Sequence, residues 1–525
     1  MNLPHKTRPV RFVQELVEHT IRHEYPHDSK TVPGAVIASN GALAVYTGER
    51  TGRSANDRYI VTQQYRDEID WGPINIAYEP DRFSALWDEA VRHADSLEDP
   101  LWEQHLRVGA DPHHAVGLRV FTKYAWHGLF ANTMFIRQPP TPEMEEWTIL
   151  NLPSFHTDVR KHGTNSDCSG FIDLDHKRIL LCGLHYGGEM KKAVFTVMNF
   201  ILPRKGVLPM HCSANVGEHG DVAVFLGLSG TGKTTLGSDP NRRIIGDDEH
   251  GWSEHGLFNF EGGCYAKGIK LTREREPVIY DAIREGAIIE NVVLDELRRP
   301  LYDCEDITEN IRVAYPLSHI ENRDFQNRGW HPQSQVLLSY DAYGVLPPVA
   351  GLTVEQAVYY YLSGYTAKVG STEVGSTAQI EASFSSMFGA PFFPCKPKLY
   401  ADLYERKLRE HSTRVYNVST GYTGGPFGSK EGRRFEIGTS RAVVNSAISG
   451  ALDSMPQWHM EEMNLQVPEH VPGVLDKHLH PLSMWTNPRK YKDAMRELVD
   501  SFHKNWDKKF GGVSTAIRDA GPRRY

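Results

Sequence analysis

The stretch Val222-Ala-Val-Phe-Leu-Gly227-Leu228-Ser229-Gly230-Thr231-Gly232-Lys233-Thr234-Thr235 decides how the chain is read. Its apolar start predicts a buried strand, and Gly227 to Thr234 fits the spacing GxxxxGK[ST] in full, with a helix predicted to begin near Lys233. Glycines there let successive backbone N–H groups turn inward around phosphate oxygens. Lys233 then supplies a point charge toward the β/γ-phosphates and Thr234 a hydroxyl for Mg²⁺. Downstream, Arg243-Ile-Ile-Gly-Asp247-Asp248-Glu-His-Gly-Trp252 brings two adjacent carboxylates after a short apolar segment, a pattern suited to a divalent cation beside phosphates. Upstream lie Tyr186-Gly-Gly-Glu189-Met-Lys191-Lys192 and Pro209-Met-His211-Cys-Ser-Ala-Asn215. Two distant runs, Thr51-Gly-Arg53-Ser and Glu309-Asn-Ile-Arg312-Val, add arginines of the kind that grip carboxylates in bidentate fashion. Spacing alone points to phosphoryl transfer with a metal and leaves the acceptor open.

Outward from this loop, strands and helices alternate, which predicts an α/β chain with a mixed-sheet core. Phe12, Val13, Leu16, Val17 and Ile21 recur at helical spacing. Ala42 to Tyr46, Leu118 to Thr122 and Arg178 to Cys182 read as strands, and Lys191 to Leu202 as a helix stopped by Pro203 and the turn at Gly206. The main boundary is placed there, giving domains 1–206 and 207–525. Tyr491, Ala494, Met495, Leu498, Val499 and Phe502 have the spacing of a packed C-terminal helix. The 525 residues are 40% hydrophobic and 24% charged, which excludes a disordered polyelectrolyte. A net charge of −8 gives no reason to expect nucleic acid or an anionic membrane as partner, so any anion must meet a local cluster of cations. No apolar run reaches the roughly 18 residues of a membrane span, and the opening MNLPHKTRPVRF has no apolar core of a secretory signal. Six scattered cysteines without a CxxC pair predict reduced thiols in a cytoplasmic enzyme, with neither a disulfide framework nor a cysteine zinc site.

Taken together the chain resembles the ATP-dependent phosphoenolpyruvate carboxykinases. The likeness is carried by TGRS at 51–54, YAWHGLFANTMFIR at 124–137, YGGEMKK at 186–192, LPMHCSANVG at 208–217, GLSGTGKTTL at 227–236 and IIGDDEHGW at 244–252. It continues through FNFEGGCYAKGIKL at 258–271, TENIRVAYP at 308–316, DAYGVLPPV at 341–349, YYLSGYTAKVGSTE at 360–373 and TGYTGGPFG at 420–428. The resemblance implies an N-terminal α/β domain, a C-terminal P-loop mononucleotide-binding domain and a cleft between them. It further implies conversion of oxaloacetate and ATP to phosphoenolpyruvate, CO₂ and ADP, with Mn²⁺ and Mg²⁺. By the same resemblance Arg53 and Arg312 hold substrate carboxylates, and Tyr186 lies beside substrate or CO₂. Lys192, His211 and Asp248 ligate Mn²⁺, and Lys191 faces phosphate and substrate oxygens. Lys233 and Lys267 grip the transferred phosphate, and Thr234 binds the Mg²⁺ of the nucleotide. The nucleotide set is the loop Gly227–Thr235 with Lys192, His211, Glu276, Arg312, Arg434 and Ser440. The GTP-dependent relatives carry a cysteine in the loop that is not found here, which favours ATP.

Three runs depart from the family pattern. TGRSPKDK is Thr51-Gly-Arg-Ser-Ala55-Asn56-Asp57-Arg58 here, and NTGW is Ser419-Thr-Gly-Tyr422. In a mobile lid expected near 370–383, GTERGVTEP is replaced by Gly370-Ser-Thr-Glu-Val374-Gly-Ser-Thr-Ala378, which predicts leakier coupling of ATP use to product. Three other readings stay open from the sequence: a kinase of this fold acting on another small acid or a protein, a catalytically silent nucleotide-binding protein, and a nucleic-acid-binding ATPase, the last disfavoured by the acidic balance. Acceleration of ATP consumption by Mn²⁺ and oxaloacetate together separates them from the carboxykinase.

Overall fold

The helix Pro80–Ser96 shows how the chain builds its layers. Proline occupies its first turn, where no N–H is needed, and Phe83, Leu86, Trp87, Ala90, Val91 and Ala94 recur on one face. That face packs on Phe121, Leu150, Phe171 and Leu180 of an eight-stranded sheet. The computed structural model describes residues 2–23, 35–369 and 380–524. Strand order in this sheet is Thr7–Pro9, Leu101–Val108, Val116–Thr122, Glu146–Leu152, Arg178–Cys182, Ser169–Asp173, Arg58–Val61 and Ile76–Tyr78, with parallel and antiparallel neighbours mixed. Every residue of Arg178–Cys182 is buried: Ile179–Cys182 is a continuous apolar run rather than an alternation, and Arg178 is buried in an ion pair with Asp173 at 2.7 Å.

The chain divides into two compact units. Unit 1 comprises Met1–Ile201 with Phe258–Asn327, and unit 2 comprises Leu202–Leu257 with Arg328–Tyr525. A single boundary at 206 therefore does not describe the fold. The physical reason is sheet pairing: a second, five-stranded sheet in unit 1 has the order Gly263–Lys267, Arg312–Pro316, Ile288–Glu290, Leu43–Val45, Val36–Ile37. Ile288–Glu290 runs parallel to Leu43–Val45, so the later segment completes a sheet begun near the N-terminus. The helix Ala125–Met134 is buried on all sides, and Trp126, Leu129, Phe130 and Met134 share a core with Leu16, Val45, Tyr186, Tyr265 and Ile288. The first helix is Val13–His23, and of its expected apolar stripe only Leu16 is buried, while Phe12 and Ile21 stand exposed.

Unit 2 is organised on parallel strands. Val222–Gly227, Ser334–Ser339 and Arg414–Ser419 lie side by side in parallel, and Leu208–Val216 pairs antiparallel to the first of them. Val349–Leu352, Leu465–Pro468 and Gln457–Met460 extend the sheet beyond Arg414–Ser419, and the helix Ile437–Ile448 buries Val443, Val444 and Ala447. In such sheets ligands bind outside the carboxyl ends of the strands. Those ends lead into the glycine-rich loop, Tyr340 and Thr420. The expected lid substitutions Val374 and Ala378 lie outside the described residues; of the segment 370–383 the described part, from Ile380, belongs to the strand Ile380–Phe384, paired with Tyr365–Val369. Among the described residues no helix is long and apolar enough to cross a membrane.

Candidate active site

In unit 2 the strand Val222–Gly227 runs into the glycine-rich loop because Gly230 and Gly232 adopt φ of +87° and +95°, a region that side-chain-bearing residues avoid. The helix that follows is short, Lys233–Gly237, and holds Thr234 and Thr235 in partly exposed positions. Thr420, at the end of the strand Arg414–Ser419 two places along the sheet, anchors the loop, its hydroxyl donating to the Thr231 carbonyl at 2.8 Å. Arg434 closes the same edge: its Nε donates to the Thr420 carbonyl at 3.1 Å, its Nη2 to the Gly230 carbonyl at 3.4 Å, and its guanidinium lies 5.0 Å from the Tyr340 ring centre. Ser440 is buried in the helix Ile437–Ile448.

Beside the loop three predicted residues meet. Asp248 Oδ1 lies 2.5 Å from Lys233 Nζ and 2.9 Å from His211 Nε2, and Lys233 Nζ is 3.3 Å from His211 Nε2. Asp248, not its neighbour Asp247, makes these contacts. His211 Nδ1 lies 2.7 Å from the Phe388 carbonyl. A carbonyl only accepts, so Nδ1 carries a proton, and Nε2 is the ring atom turned to Asp248 and Lys233. Phe388 and Met387 both hold φ of +56°, which aims that carbonyl at the imidazole. Imidazole Nε2 and a carboxylate oxygen thus stand together beside the Lys233 ammonium, and a neutral imidazole with a carboxylate is a donor set that fits a transition-metal ion. The second histidine of the motif, His250, is buried, its pKa pushed down to about 3, which keeps it neutral and structural.

In unit 1 the five-stranded sheet sets a row of charges in register: Lys267 faces Arg312, which faces Glu290. Two residues back along the strand, on the same face, Tyr265 donates its hydroxyl to Glu290 Oε2 at 2.9 Å. The Arg312 guanidinium lies 5.8 Å from the Tyr265 ring centre, and the Tyr186 ring 6.0 Å from it. Burial pushes the Glu290 carboxyl up to about 8, against the opposing pull of the Tyr265 hydroxyl and of Arg312. Hydrogen bonds bring the other arginine run to the same place. Asn310 accepts from Arg312 Nε at 2.9 Å and donates to the Thr51 carbonyl at 2.7 Å, and the Ser54 N–H donates to Glu189 at 2.5 Å. The segments bearing Arg53, Tyr186 and Arg312 are therefore laced together within one unit.

The adjacent lysines of the helix Gly188–Ile201 part company, since successive helical side chains point about 100° apart. Lys191 is buried in an ion pair with Glu261 at 2.9 Å, while the ammonium of partly exposed Lys192 lies 5.1 Å from the Phe195 ring centre. The resemblance sets Lys191 facing phosphate and substrate oxygens; here its ammonium is paired with the Glu261 carboxylate. Glu276 precedes the helix Pro277–Ala282 of unit 1. Sequence reasoning missed Tyr265, Glu290, Asn310, Phe388 and Thr420. The period-two step from Lys267 back to Tyr265 was a usable signal for the first; the others depend on pairing between distant segments.

Fold and site define a class first: a mixed α/β enzyme of two units, one carrying a row of charged groups with two cations and the other a glycine-rich loop with a lysine, a histidine and an aspartate gathered beside it. The family model for phosphoenolpyruvate carboxykinase matches residues 11–477. The chain is 47% identical to the phosphoenolpyruvate carboxykinase (ATP) of Rubrobacter xylanophilus, over 93% of its own length and 92% of the relative's. It is 45% identical to that of Thermus thermophilus over 97% and 95%, and 43% identical to that of Caldanaerobacter subterraneus over 97% and 96%. The chain belongs to the ATP-dependent phosphoenolpyruvate carboxykinase family.

Proposed function

We propose that this chain decarboxylates oxaloacetate and phosphorylates the resulting enolate with ATP, giving phosphoenolpyruvate, CO₂ and ADP, reversibly and in the service of gluconeogenesis. The observation that carries the reading is the meeting of Lys233, His211 and Asp248 beside the glycine-rich loop. In the reaction the C–C bond to the departing carboxylate breaks and leaves its electron pair as an enolate. The enolate oxygen then bonds to the γ-phosphorus as the bond to the β-phosphate oxygen breaks. The protein's task is alignment and neutralisation of charge on oxygen.

Arg53 and Arg312 bind the substrate carboxylates and Tyr186 packs beside them. The loop from Gly227 to Thr235 cradles the ATP phosphates through backbone N–H groups. Lys233 and Lys267 bear on the transferred phosphoryl group, and Lys191 supports the helix from which Lys192 projects. Lys192, His211 and Asp248 would hold Mn²⁺, with Lys192 neutral, and Thr234 would meet the Mg²⁺ of the nucleotide. When bound, these ions supply positive charge for developing oxyanions. Arg434 and Ser440 serve the nucleotide near its base and ribose, and Glu276 the nucleotide more remotely. Six free cysteines suit a cytoplasmic location.

The test is phosphoenolpyruvate formation from oxaloacetate with ATP, Mg²⁺ and a little Mn²⁺, against GTP and no-nucleotide controls. Product must be identified directly, because oxaloacetate also decarboxylates to pyruvate unaided. ATP-dependent phosphoenolpyruvate is expected; its absence with nucleotide and metal bound would overturn the reading.

A further inference from the structure

We propose that His156, Asp167 and Cys168 form a binding site for a thiophilic divalent cation of the zinc class, on unit 1 and outside the residues to which the reaction is assigned. Their ligand atoms, an imidazole nitrogen, a carboxylate oxygen and the thiol sulfur, all lie within 4.8 Å of one another. His156 Nδ1 is 3.3 Å from Asp167 Oδ2 and 3.9 Å from Cys168 Sγ. A tetrahedral ion bonded to nitrogen, oxygen and sulfur at the usual lengths needs ligand-to-ligand edges of about 3.3–3.6 Å, which the His156–Asp167 pair meets at 3.3 Å and the His156–Cys168 pair exceeds at 3.9 Å, so binding draws the sulfur inward.

The surrounding chain holds that geometry. His156 follows the strand Glu146–Leu152, and Asp167 and Cys168 immediately precede the strand Ser169–Asp173. The two segments are tied by the Thr157 N–H donating to the Asp167 carbonyl at 2.8 Å and the Thr157 hydroxyl donating to the Ser166 carbonyl at 3.0 Å. Gly183 opens the space: it holds φ of +66°, and a Cβ there would stand 2.8 Å from both Cys168 Sγ and His156 Nδ1. Arg50 Nη2 holds Asp167 Oδ1 at 3.1 Å, which orients the carboxylate and leaves Oδ2 turned to the imidazole.

The donor chemistry selects the ion. A sulfur ligand with imidazole and one carboxylate favours Zn²⁺ or Co²⁺ over Mg²⁺ or Ca²⁺, which take oxygen ligands. His156 and Asp167 are exposed, so water has access as a fourth ligand, while the Cys168 side chain is buried. Without a metal, burial pushes the Cys168 thiol up to about 11, so it stays protonated. On binding, the S–H proton leaves to solvent and the sulfur lone pair bonds the ion, with no change of oxidation state.

Co²⁺ titrated into the full chain is the test, read as the thiolate-to-cobalt charge-transfer absorption in the near ultraviolet. No thiol belongs to the His211–Asp248 cluster's proposed ligand set, so metal there is silent in this band. The band is expected to saturate at one equivalent, to be displaced by Zn²⁺, and to vanish in Cys168→Ser. His156→Ala, which changes an exposed side chain and leaves the fold intact, should lose it too, with Co²⁺ held at least about tenfold more weakly. No band in the unaltered chain, or a band that survives in either variant, would overturn the proposal whatever the outcome of the carboxykinase assay.

Discussion

Glu290→Gln probes the charge row of unit 1 most directly. Glu290 is wholly buried, and burial carries its carboxyl from 4.5 to about 8 even with Tyr265 and Arg312 pulling the other way. Each tenfold change in proton affinity is about 1.4 kcal/mol, so ionising this carboxyl inside the protein costs roughly 5 kcal/mol more than in the unfolded chain. The sign follows from the raised value. Below about pH 4.5 both states are protonated and Glu290 has no effect on stability; stability then falls as pH rises toward about 8, and levels off above it. Function follows the same titration. While neutral, Glu290 leaves the charge of Arg312, its neighbour in register, to a substrate carboxylate; once ionised, it competes for that guanidinium. The KM for oxaloacetate should rise about tenfold between about pH 7 and about pH 9 in the unaltered chain and stay level in Glu290→Gln. Initial rates of phosphoenolpyruvate formation across that range, corrected for spontaneous decarboxylation, measure it. Superimposable pH profiles for the two proteins would refute the reasoning.

Asp248→Asn removes the charge that Lys233 and His211 share, and Mn²⁺ affinity measured by electron paramagnetic resonance should fall by about 100-fold or more; unchanged affinity would remove Asp248 from the ligand set. Lys192→Arg keeps the charge but cannot present a neutral amine, so Mn²⁺-supported turnover should be lost, and near-normal turnover would deny Lys192 its role as ligand. Asp341 accepts the backbone N–H groups of Tyr343, Val345 and Leu346 and the Tyr365 hydroxyl inside unit 2. Asp341→Ala strands those donors and should destabilise unit 2 by about 3–5 kcal/mol, read as a lower urea midpoint. A midpoint unchanged within error would show that water replaces the lost acceptor.

What the sequence made legible was local. The strand, glycine-rich loop and helix around Lys233 lie within a few residues of one another, so spacing alone predicted their order, although the helix is shorter than an ordinary one. Arg178–Cys182 was equally plain as a strand, because Ile179 to Cys182 is an apolar run, and every residue of it proves buried. The helix Gly188–Ile201 begins three residues before its expected start at Lys191, since Gly188 argues against a helix on propensity and tertiary packing overrides it. The register that sets Lys267, Arg312 and Glu290 in one row was not legible at all. It joins strands separated by loops whose lengths carry no pairing information, and the resemblance supplied the roles of Lys267 and Arg312 but not that of Glu290. The return of residues 258–327 to unit 1 was hidden for the same reason.

That return has a consequence for how the protein is made. The eight-stranded sheet has all its strands once Cys182 has been synthesised, but Leu43–Val45 waits for Ile288–Glu290, and that strand's other neighbour, Arg312–Pro316, comes later still. In between, the ribosome extrudes Val222–Gly227, whose parallel neighbour Ser334–Ser339 does not yet exist. At usual translation rates the gap between Gly227 and Glu290 lasts on the order of 5 s. For that time two apolar strands, one from each unit, have open edges on the same nascent chain. Mispairing between them is the natural error of this topology, and a chaperone that shields the emerging Leu43–Val45 segment would guard against it.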